Sequence, residues 1–139
     1  MRQQQTPPSL WRRLAAIAYD AMLLFSVLFC VTWILVLVHG GAGFGPGDPL
    51  LRLYQALLWL LAAAYFLWPW THGGQTLGMR SWQLRLVTRQ GGAVGWGRAL
   101  LRLVLTPLSV LPLGLGYLWV LFDREGLTWH DRLSGTRLI

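Results

Sequence analysis

Charged side chains are scarce in this sequence. Aspartate, glutamate, lysine and arginine together make up 12% of the 139 residues, against roughly 25% in an average soluble domain. So little charge excludes a disordered chain and makes an ordinary water-facing surface hard to build. Apolar residues make up 55%, with nine tryptophans, four tyrosines and five phenylalanines. Amphipathic rings suit a membrane–water boundary, so the composition predicts an integral membrane protein.

Lysine and asparagine are absent, and Cys30 is the single cysteine. All twelve basic residues are therefore arginines, set against five acids for a formal net charge of +7. One cysteine excludes an intrachain disulfide and a CxxC metal or redox site. His130 adjoins Asp131, but His39 and His72 lie far away in the sequence. Two candidate ligands do not make a metal site, so we expect no metal and no cofactor.

Three apolar runs dominate the chain. Run 14–38 has 25 residues and run 51–70 about 20; as helices they measure about 37 and 30 Å, enough to cross a hydrocarbon core of about 30 Å. The third run, 99–122, is long enough to span but is interrupted by Pro107 and Pro112, each of which removes a helix hydrogen bond. We predict an all-α membrane protein with two transmembrane helices and a broken third segment, either a re-entrant hairpin or one kinked span.

Arginines are unevenly distributed between the loops. The N-terminal tail carries Arg2, Arg12 and Arg13, and loop 39–50 carries none. Loop 71–98 carries four: Arg80, Arg85, Arg89 and Arg98. Because arginine-rich short loops stay in the cytoplasm, the tail and loop 71–98 are expected to be cytoplasmic.

We predict one domain, divided as follows. The segments are a cytoplasmic tail (1–13), a helix (14–38), an outer loop (39–50), a helix (51–70), a basic cytoplasmic loop (71–98), the broken apolar segment (99–122) and a C-terminal tail (123–139). Residues 82–87 alternate apolar and polar side chains, as a half-buried strand does, and residues 136–139 are also strand-like. These two stretches can pair only on one side of the membrane, which favours the hairpin and a cytoplasmic C-terminus.

Asp20 is out of place inside the first apolar run. A carboxylate at membrane depth costs a few kcal/mol, so it usually has a partner or a function. Arg13 lies seven residues earlier on the same helix face, and Arg98 and Arg102 form an i,i+4 pair before the third run. We hypothesise that Arg102 pairs with Asp20 and that Asp131 pairs with Arg13. Such charges either lock the helices at the cytoplasmic boundary or bind an ion, proton or ligand.

Two weaker patterns lie in the basic loop. Gly74 and Gly78 form a GxxxG motif, which allows close helix packing, but its position in a loop favours a turn. The arginines of residues 80–102 match either nucleic acid or anionic lipid headgroups. Beside a membrane, lipid is the simpler partner, and we expect no nucleic acid.

The sequence resembles the RDD family, small bacterial inner-membrane proteins named for one arginine and two aspartates. The matching pieces are RRLAAIAYD, GGQTLGMRSWQLRLV, GRALLR and WHDRLSGTRLI, in the family's order. The resemblance assigns the naming residues to Arg13, Asp20 and Asp131. Met79 departs from the family, which commonly has lysine there.

The resemblance implies a helical protein of the bacterial inner membrane, with transport of an ion, proton or small solute as the usual suggestion. We predict a charge cluster of Arg13, Asp20, Asp131 and Arg102, with Arg98 and Arg132 secondary. A three-helix chain is too thin to enclose a pathway, so transport requires a homo-oligomer or a membrane partner. The alternative is a non-transporting scaffold or accessory subunit that binds a partner protein or anionic lipid. With no nucleophile–base pair in the sequence, we expect no enzyme.

Overall fold

The computed structural model describes residues 7–112 and 114–139, and the predicted fold class is confirmed. Arg2, counted above in the tail, lies outside the described residues. The helices are α1 (Leu10–Val38), α2 (Leu51–Thr71), α3 (Leu77–Ser81), α4 (Trp96–Val110), α5 (Leu115–Leu118) with a following 3-10 turn (Trp119–Leu121), and α6 (Trp129–Ser134). The strands are β1 (Leu86–Thr88) and β2 (Thr136–Leu138).

Helices α1 and α2 are each long and apolar enough to cross a membrane. Helix α1 begins at Leu10, four residues before the predicted start, because the Ser9 side chain accepts a hydrogen bond from the backbone N–H of Arg12 and caps the helix. Arg13 therefore lies in the first turn of α1 and not in the tail. Helix α2 accommodates Pro69 and ends at Thr71.

The third apolar segment is bent. Helix α4 has 15 residues, about 22 Å, which is shorter than a hydrocarbon core. The helices on either side of the break meet at 103°. Gly114 adopts a left-handed backbone at φ 76°, and a Cβ on Gly116 would lie 2.6 Å from the Cβ of Ser109. The glycines thus permit the sharp turn and the close return of the chain onto α4.

The two strands pair antiparallel, in the register Leu86–Leu138, Val87–Arg137 and Thr88–Thr136. The predicted strand at 82–87 begins too far toward the N-terminus, because β1 covers Leu86–Thr88. Residues 82–84 instead follow the end of α3, where the Leu84 N–H donates to the carbonyl of Met79 at 2.8 Å. The pairing places the C-terminal tail beside loop 71–98.

Helix α3 lies where the sequence predicted only a turn. Thr76 caps it by accepting from the Met79 N–H at 3.2 Å. Gly74 does lie in a turn, at φ 72°, but Gly78 is helical and packs against α1. A Cβ on Gly78 would lie 2.3 Å from the Ala16 carbonyl oxygen. The turn prediction is therefore wrong for Gly78, which serves close helix packing instead.

The core lies at one end of the molecule. Its buried apolar residues come from the start of α1, the end of α2, residues 79–99 and β2: Ala16, Trp70, Met79, Leu84, Leu86, Val94, Ala99 and Leu138. The buried residues of α1 are Arg13, Ala16 and Asp20, and that of α2 is Trp70. Most of each long helix thus exposes large apolar side chains, as expected where lipid replaces water.

Candidate functional site: a buried arginine–aspartate cluster

Asp131 is the centre of a buried cluster of charges. It lies in the first turn of α6, where it and Thr128 form a capping box: the Asp131 N–H donates to Thr128 Oγ1, and the Thr128 N–H donates to Asp131 Oδ2, each at 3.2 Å. Arg13 Nη1 donates to Asp131 Oδ2 at 2.9 Å. Arg102 Nη1 donates to the other oxygen, Oδ1. One fully buried carboxylate thus holds two guanidinium groups.

Arg13 connects the start of α1 to the C-terminal part of the chain. Beyond Asp131, its Nη2 donates to the carbonyl of Gly126 at 2.7 Å, and its Nε donates to the carbonyl of Pro8 at 3.3 Å. Each of the three guanidinium nitrogen atoms of Arg13 thus has a hydrogen-bond acceptor, as a buried guanidinium requires. The contact of Arg13 with Asp131 is the one hypothesised from the sequence. It places α6 at the N-terminal end of α1.

Arg102 joins the cluster from α4. Its Nη1 also donates to Thr136 Oγ1 at 3.0 Å, and its guanidinium carbon lies 5.4 Å from the ring centroid of Trp70, a cation–π distance. Its Nε has no hydrogen-bond partner among the described residues. Arg102 therefore ties α2, α4, α6 and β2 together and keeps its buried Nε–H donor unused.

The surroundings of Asp131 and His130 in α6 set the protonation states of these two side chains. Burial alone raises the pKa of a carboxyl, but the adjacent Arg102 and Arg13 outweigh it and hold the pKa of Asp131 well below its usual range. Burial, followed by repulsion from Arg102, lowers the pKa of His130 to about 3. Asp131 is therefore ionised and His130 neutral at physiological pH.

Asp20 is bound by neutral donors, and the predicted pairing of Asp20 with Arg102 is wrong. The Tyr65 hydroxyl donates to Asp20 Oδ1 at 2.8 Å, the Gly78 N–H donates to the same oxygen at 2.8 Å, and the Thr76 hydroxyl donates to Oδ2. Arg102 is instead held by Asp131. Hydroxyl and amide donors from α2 and α3 thus stabilise the carboxylate that we expected a guanidinium to neutralise.

A cavity of about 280 Å³ joins the two carboxylate sites. Arg13, Asp20 and Arg102 all line it, among mostly apolar side chains of α1, α2 and α4. Asp131 lies behind the arginines and is not part of the wall. Residues of both carboxylate sites therefore face one shared space.

The secondary residues stand apart from this cluster. Arg132, whose side chain is half exposed, donates to the largely buried carboxylate of Asp123 at 2.6 Å. Arg98 is exposed on α4. His130 is buried, with Nδ1 3.0 Å from Ser109 Oγ and Nε2 3.1 Å from Thr128 Oγ1. Among the residues that the structure describes, no group of three or more histidine, cysteine or acidic side chains is placed to hold a metal.

Three polar residues of the site were missed from the sequence. Thr128 was detectable, because a threonine three residues before an acid is the signature of a capping box. Tyr65 lies within the second apolar run, and Thr76 lies within one of the pieces that match the RDD family. Neither carries a local signal of its contact with Asp20, since that contact depends on how α1, α2 and α3 pack.

The long apolar helices and the buried polar cluster at one end define an α-helical membrane protein. The model of the RDD family matches residues 7–135, nearly the whole chain. The chain therefore belongs to the RDD family. No curated protein and no solved structure matches it.

Proposed function

We propose that this RDD protein takes part in transport, and that the cavity beside Asp20, Arg13 and Arg102 holds the transported ion, proton or small solute. The observation that carries the proposal is the placement of these three charged side chains in the wall of one cavity within the helices. Charged residues that face an internal cavity of a membrane protein commonly mark a substrate or ion pathway.

The different partners of the two carboxylates assign them different roles in this proposal. Asp131 is locked by two fixed cations, so removing its charge leaves both arginines uncompensated. Asp20 contacts the hydroxyls of Tyr65 and Thr76, and hydroxyls can donate or accept by rotating. Asp20 can therefore bind and release a proton or cation without leaving an arginine unpaired. We assign the exchange of the proton or cation to Asp20 and a structural role to Asp131.

Transport requires a particular setting in the membrane, which we also propose. The distribution of arginine between the loops supports a cytoplasmic N-terminus, and the contact of Arg13 with Asp131 supports a C-terminus on the same side. We place the protein in the bacterial inner membrane. Because α1 and α2 expose apolar side chains along most of their length, a homo-oligomer or a membrane partner is needed to complete a pathway.

The test is ion flux in vesicles. Purified protein is reconstituted into liposomes that contain a pH-sensitive dye, and proton flux is followed after a pH jump or an imposed sodium gradient. We expect Asp20→Asn to abolish flux at an unchanged protein level, while Glu125→Gln, which removes an exposed acid, keeps it. Flux of the Asp20→Asn protein equal to that of wild type, or no flux above protein-free vesicles for either gradient, would contradict transport of these ions.

A non-transporting scaffold is the second candidate, and one surface favours it. Four exposed arginines lie in or just after the loop between α2 and α4: Arg80, Arg85, Arg89 and Arg98. None of them forms an ion pair within residues 7–112 and 114–139. We propose anionic lipid headgroups as the partner of this surface, in preference to nucleic acid.

Binding to lipid nanodiscs tests the scaffold. We expect the protein to recruit phosphatidylglycerol over phosphatidylcholine, and the preference to weaken in Arg80→Gln/Arg98→Gln and in high salt. The scaffold hypothesis further predicts that Asp20→Asn either alters the assembly of the protein with its partners or has no effect.

We propose no enzymatic role. Ser109 lies 3.0 Å from His130, a spacing that suits a nucleophile and its base. However, the lowered pKa of His130, about 3, makes it a poor base near neutral pH. Asp131 lies 3.9 Å from the imidazole and is already bound by two arginines.

A further inference from the structure

Two buried donors beside the cavity lack acceptors. Arg102 Nε and the indole N–H of Trp70 have no hydrogen-bond partner among the described residues. Arg102 is 3% exposed and Trp70 5%, and both residues line the cavity. A buried donor without an acceptor destabilises the protein, and more so when it belongs to a charged group. A ligand that supplies oxygen acceptors at this place removes that cost.

The donors that lack acceptors favour an anionic acceptor, because one of them belongs to the guanidinium of Arg102. Arg13 and Arg102 line the wall together with Asp20, and Asp131, which pairs with both arginines, completes the balance of charge from behind the wall. Both oxygens of Asp20 already accept hydrogen bonds from Tyr65, Thr76 or Gly78. The head of the ligand that fits is therefore a small anion, and a carboxylate matches the planar donors of an arginine.

The rest of the cavity is apolar and of limited size. Ile17, Leu24, Phe66 and Leu103 are among its lining residues. Its volume is about 280 Å³. This corresponds to about nine water molecules, since one water occupies ~30 Å³ in the liquid. On α1 the lining residues run from Arg13 to Leu24, about 17 Å along the helix axis. The volume limits an unbranched chain to about eight carbons, and such a chain is shorter than this length when it is extended.

We propose that the cavity binds a carboxylate with a short apolar chain, its head on Arg102 and Trp70 and its chain along α1 toward Leu24. The inference rests on the proposed function, because it names the substrate class of the same cavity. Its chemistry, an anionic head on an apolar chain, is shared by free fatty acids and by the anionic lipids of the bilayer. The experiment therefore includes both sources.

The probe is radiolabelled octanoate, measured at equilibrium on the protein in phosphatidylcholine nanodiscs and corrected for protein-free discs. We expect saturable binding that octanol and octylammonium fail to displace. Trp70→Phe removes the indole donor and keeps an aromatic ring, so it is expected to weaken binding about tenfold. Trp68→Phe is the matched control, since Trp68 is 60% exposed on the same helix and does not line the cavity.

A second variant shows which cavity binds octanoate. It is needed because Trp70 also borders a second cavity, of about 260 Å³, beside Arg85 and the loop glycines. Ala21→Phe adds a ring to the first cavity alone and is expected to abolish octanoate binding. Discs with phosphatidylglycerol separate the two sources: competition by this lipid assigns the site to bilayer lipid, and its absence assigns the site to free carboxylates.

Either of two results would overturn the inference: no saturable octanoate binding, or binding that Trp70→Phe and Ala21→Phe leave unchanged. Proton or sodium flux that depends on Asp20, found together with such a result, would leave the transport proposal standing. Octanoate binding without any flux would reject transport of those ions and retain the ligand site.

Discussion

At the scale of single residues, the two buried carboxylates are stabilised by different kinds of donor. Asp131 is held by two guanidinium groups, whereas Asp20 is held by two hydroxyls and one backbone amide. Breaking a buried ion pair by removing one partner destabilises a protein strongly, because the remaining charge is left without compensation. Neutral donors can be replaced at a lower cost. The two aspartates should therefore respond differently to loss of charge.

The first prediction concerns the charge of Asp131. Asp131→Asn preserves the shape of the side chain but leaves Arg13 and Arg102 buried without a counter-charge. We expect the free energy of unfolding, measured by SDS titration in mixed micelles, to fall by about 3–5 kcal/mol. Glu125→Gln removes the same charge from an exposed position of the same segment and is expected to change it by under about 0.5 kcal/mol. Equal effects of the two variants would show that the cluster contributes no specific stability.

The second prediction is a loss of stability in mild acid caused by His130. Burial, with repulsion from Arg102, lowers the pKa of His130 from 6.5 to about 3 in the folded protein, so below pH 6.5 the unfolded chain binds the proton that the folded protein excludes. The stability is complete above pH 6.5 and declines as the pH falls toward 3. Between pH 6.5 and 4.5 this residue alone should remove about 2 kcal/mol.

His130→Gln is the matched variant, because glutamine keeps donors and acceptors but does not titrate. Its free energy of unfolding should depend less on pH than that of wild type between pH 6.5 and 4.5. Parallel curves for the two proteins would mean that His130 takes up its proton in the folded state.

Residue pairing was only partly predictable from the sequence. The hypothesis that Arg13 meets Asp131 agrees with the structure, since few charged residues were available and both lie where a cytoplasmic boundary was expected. The partner of Asp20 was not predictable in the same way. Tyrosine, threonine and backbone amides are numerous, so helical spacing does not say which of them reaches a given carboxylate.

At the scale of elements, short helix α3 is attached to α1 by a close contact rather than by a large apolar face. Gly78 faces the backbone of Ala16 and donates its N–H to Asp20 at 2.8 Å. Any side chain at position 78 would separate the two helices and break this hydrogen bond. The attachment of α3, and with it the environment of Asp20, therefore depends on one glycine.

The third prediction follows from this contact. A Cβ on Gly78 would lie 2.3 Å from the Ala16 carbonyl oxygen and 2.7 Å from Asp20 Oδ2, so Gly78→Ala should lower the free energy of unfolding by about 1–3 kcal/mol. Gly97→Ala is the control, because Gly97 is helical and exposed, and a Cβ there meets nothing within 4 Å. We expect it to be neutral or slightly stabilising. If both variants melt at the temperature of wild type, α3 is not held by this contact.

The elements with strong periodic or compositional signals were predictable, and the short ones were not. The apolar runs predicted α1 and α2, and Pro112 predicted the break after α4, whereas the interruption expected at Pro107 is wrong because α4 continues through it to Val110. Helix α3 has five residues, too few to show a helical period against the turn signals of Gly74 and Gly78. The shift of β1 to Leu86–Thr88 has the same origin, because the end of α3 takes up the first residues of the alternating stretch.

At the scale of the whole molecule, the polar residues are concentrated at one end of two long apolar helices. Arg13 lies in the first turn of α1 and Asp131 in α6, and their contact brings the two ends of the described chain together. The bend of 103° after α4 allows this return, and the pairing of β1 with β2 supports it. A single straight crossing by residues 99–122 would place Asp131 on the opposite side from Arg13. Hence the site exists only if the third segment re-enters.

The last prediction tests this topology directly. On a Cys30→Ser background, single cysteines are placed at the exposed positions Ala42, Gln90 and Arg124 and treated with a membrane-impermeant maleimide in spheroplasts and in inverted vesicles. Gln90→Cys and Arg124→Cys should react from the same side, because β1 and the C-terminal tail lie together, and Ala42→Cys from the other. If Arg124→Cys reacts together with Ala42→Cys, residues 99–122 cross the membrane once. In that case the salt bridge between Arg13 and Asp131 cannot form, and neither the cavity ligand nor the exchange step at Asp20 retains its structural basis.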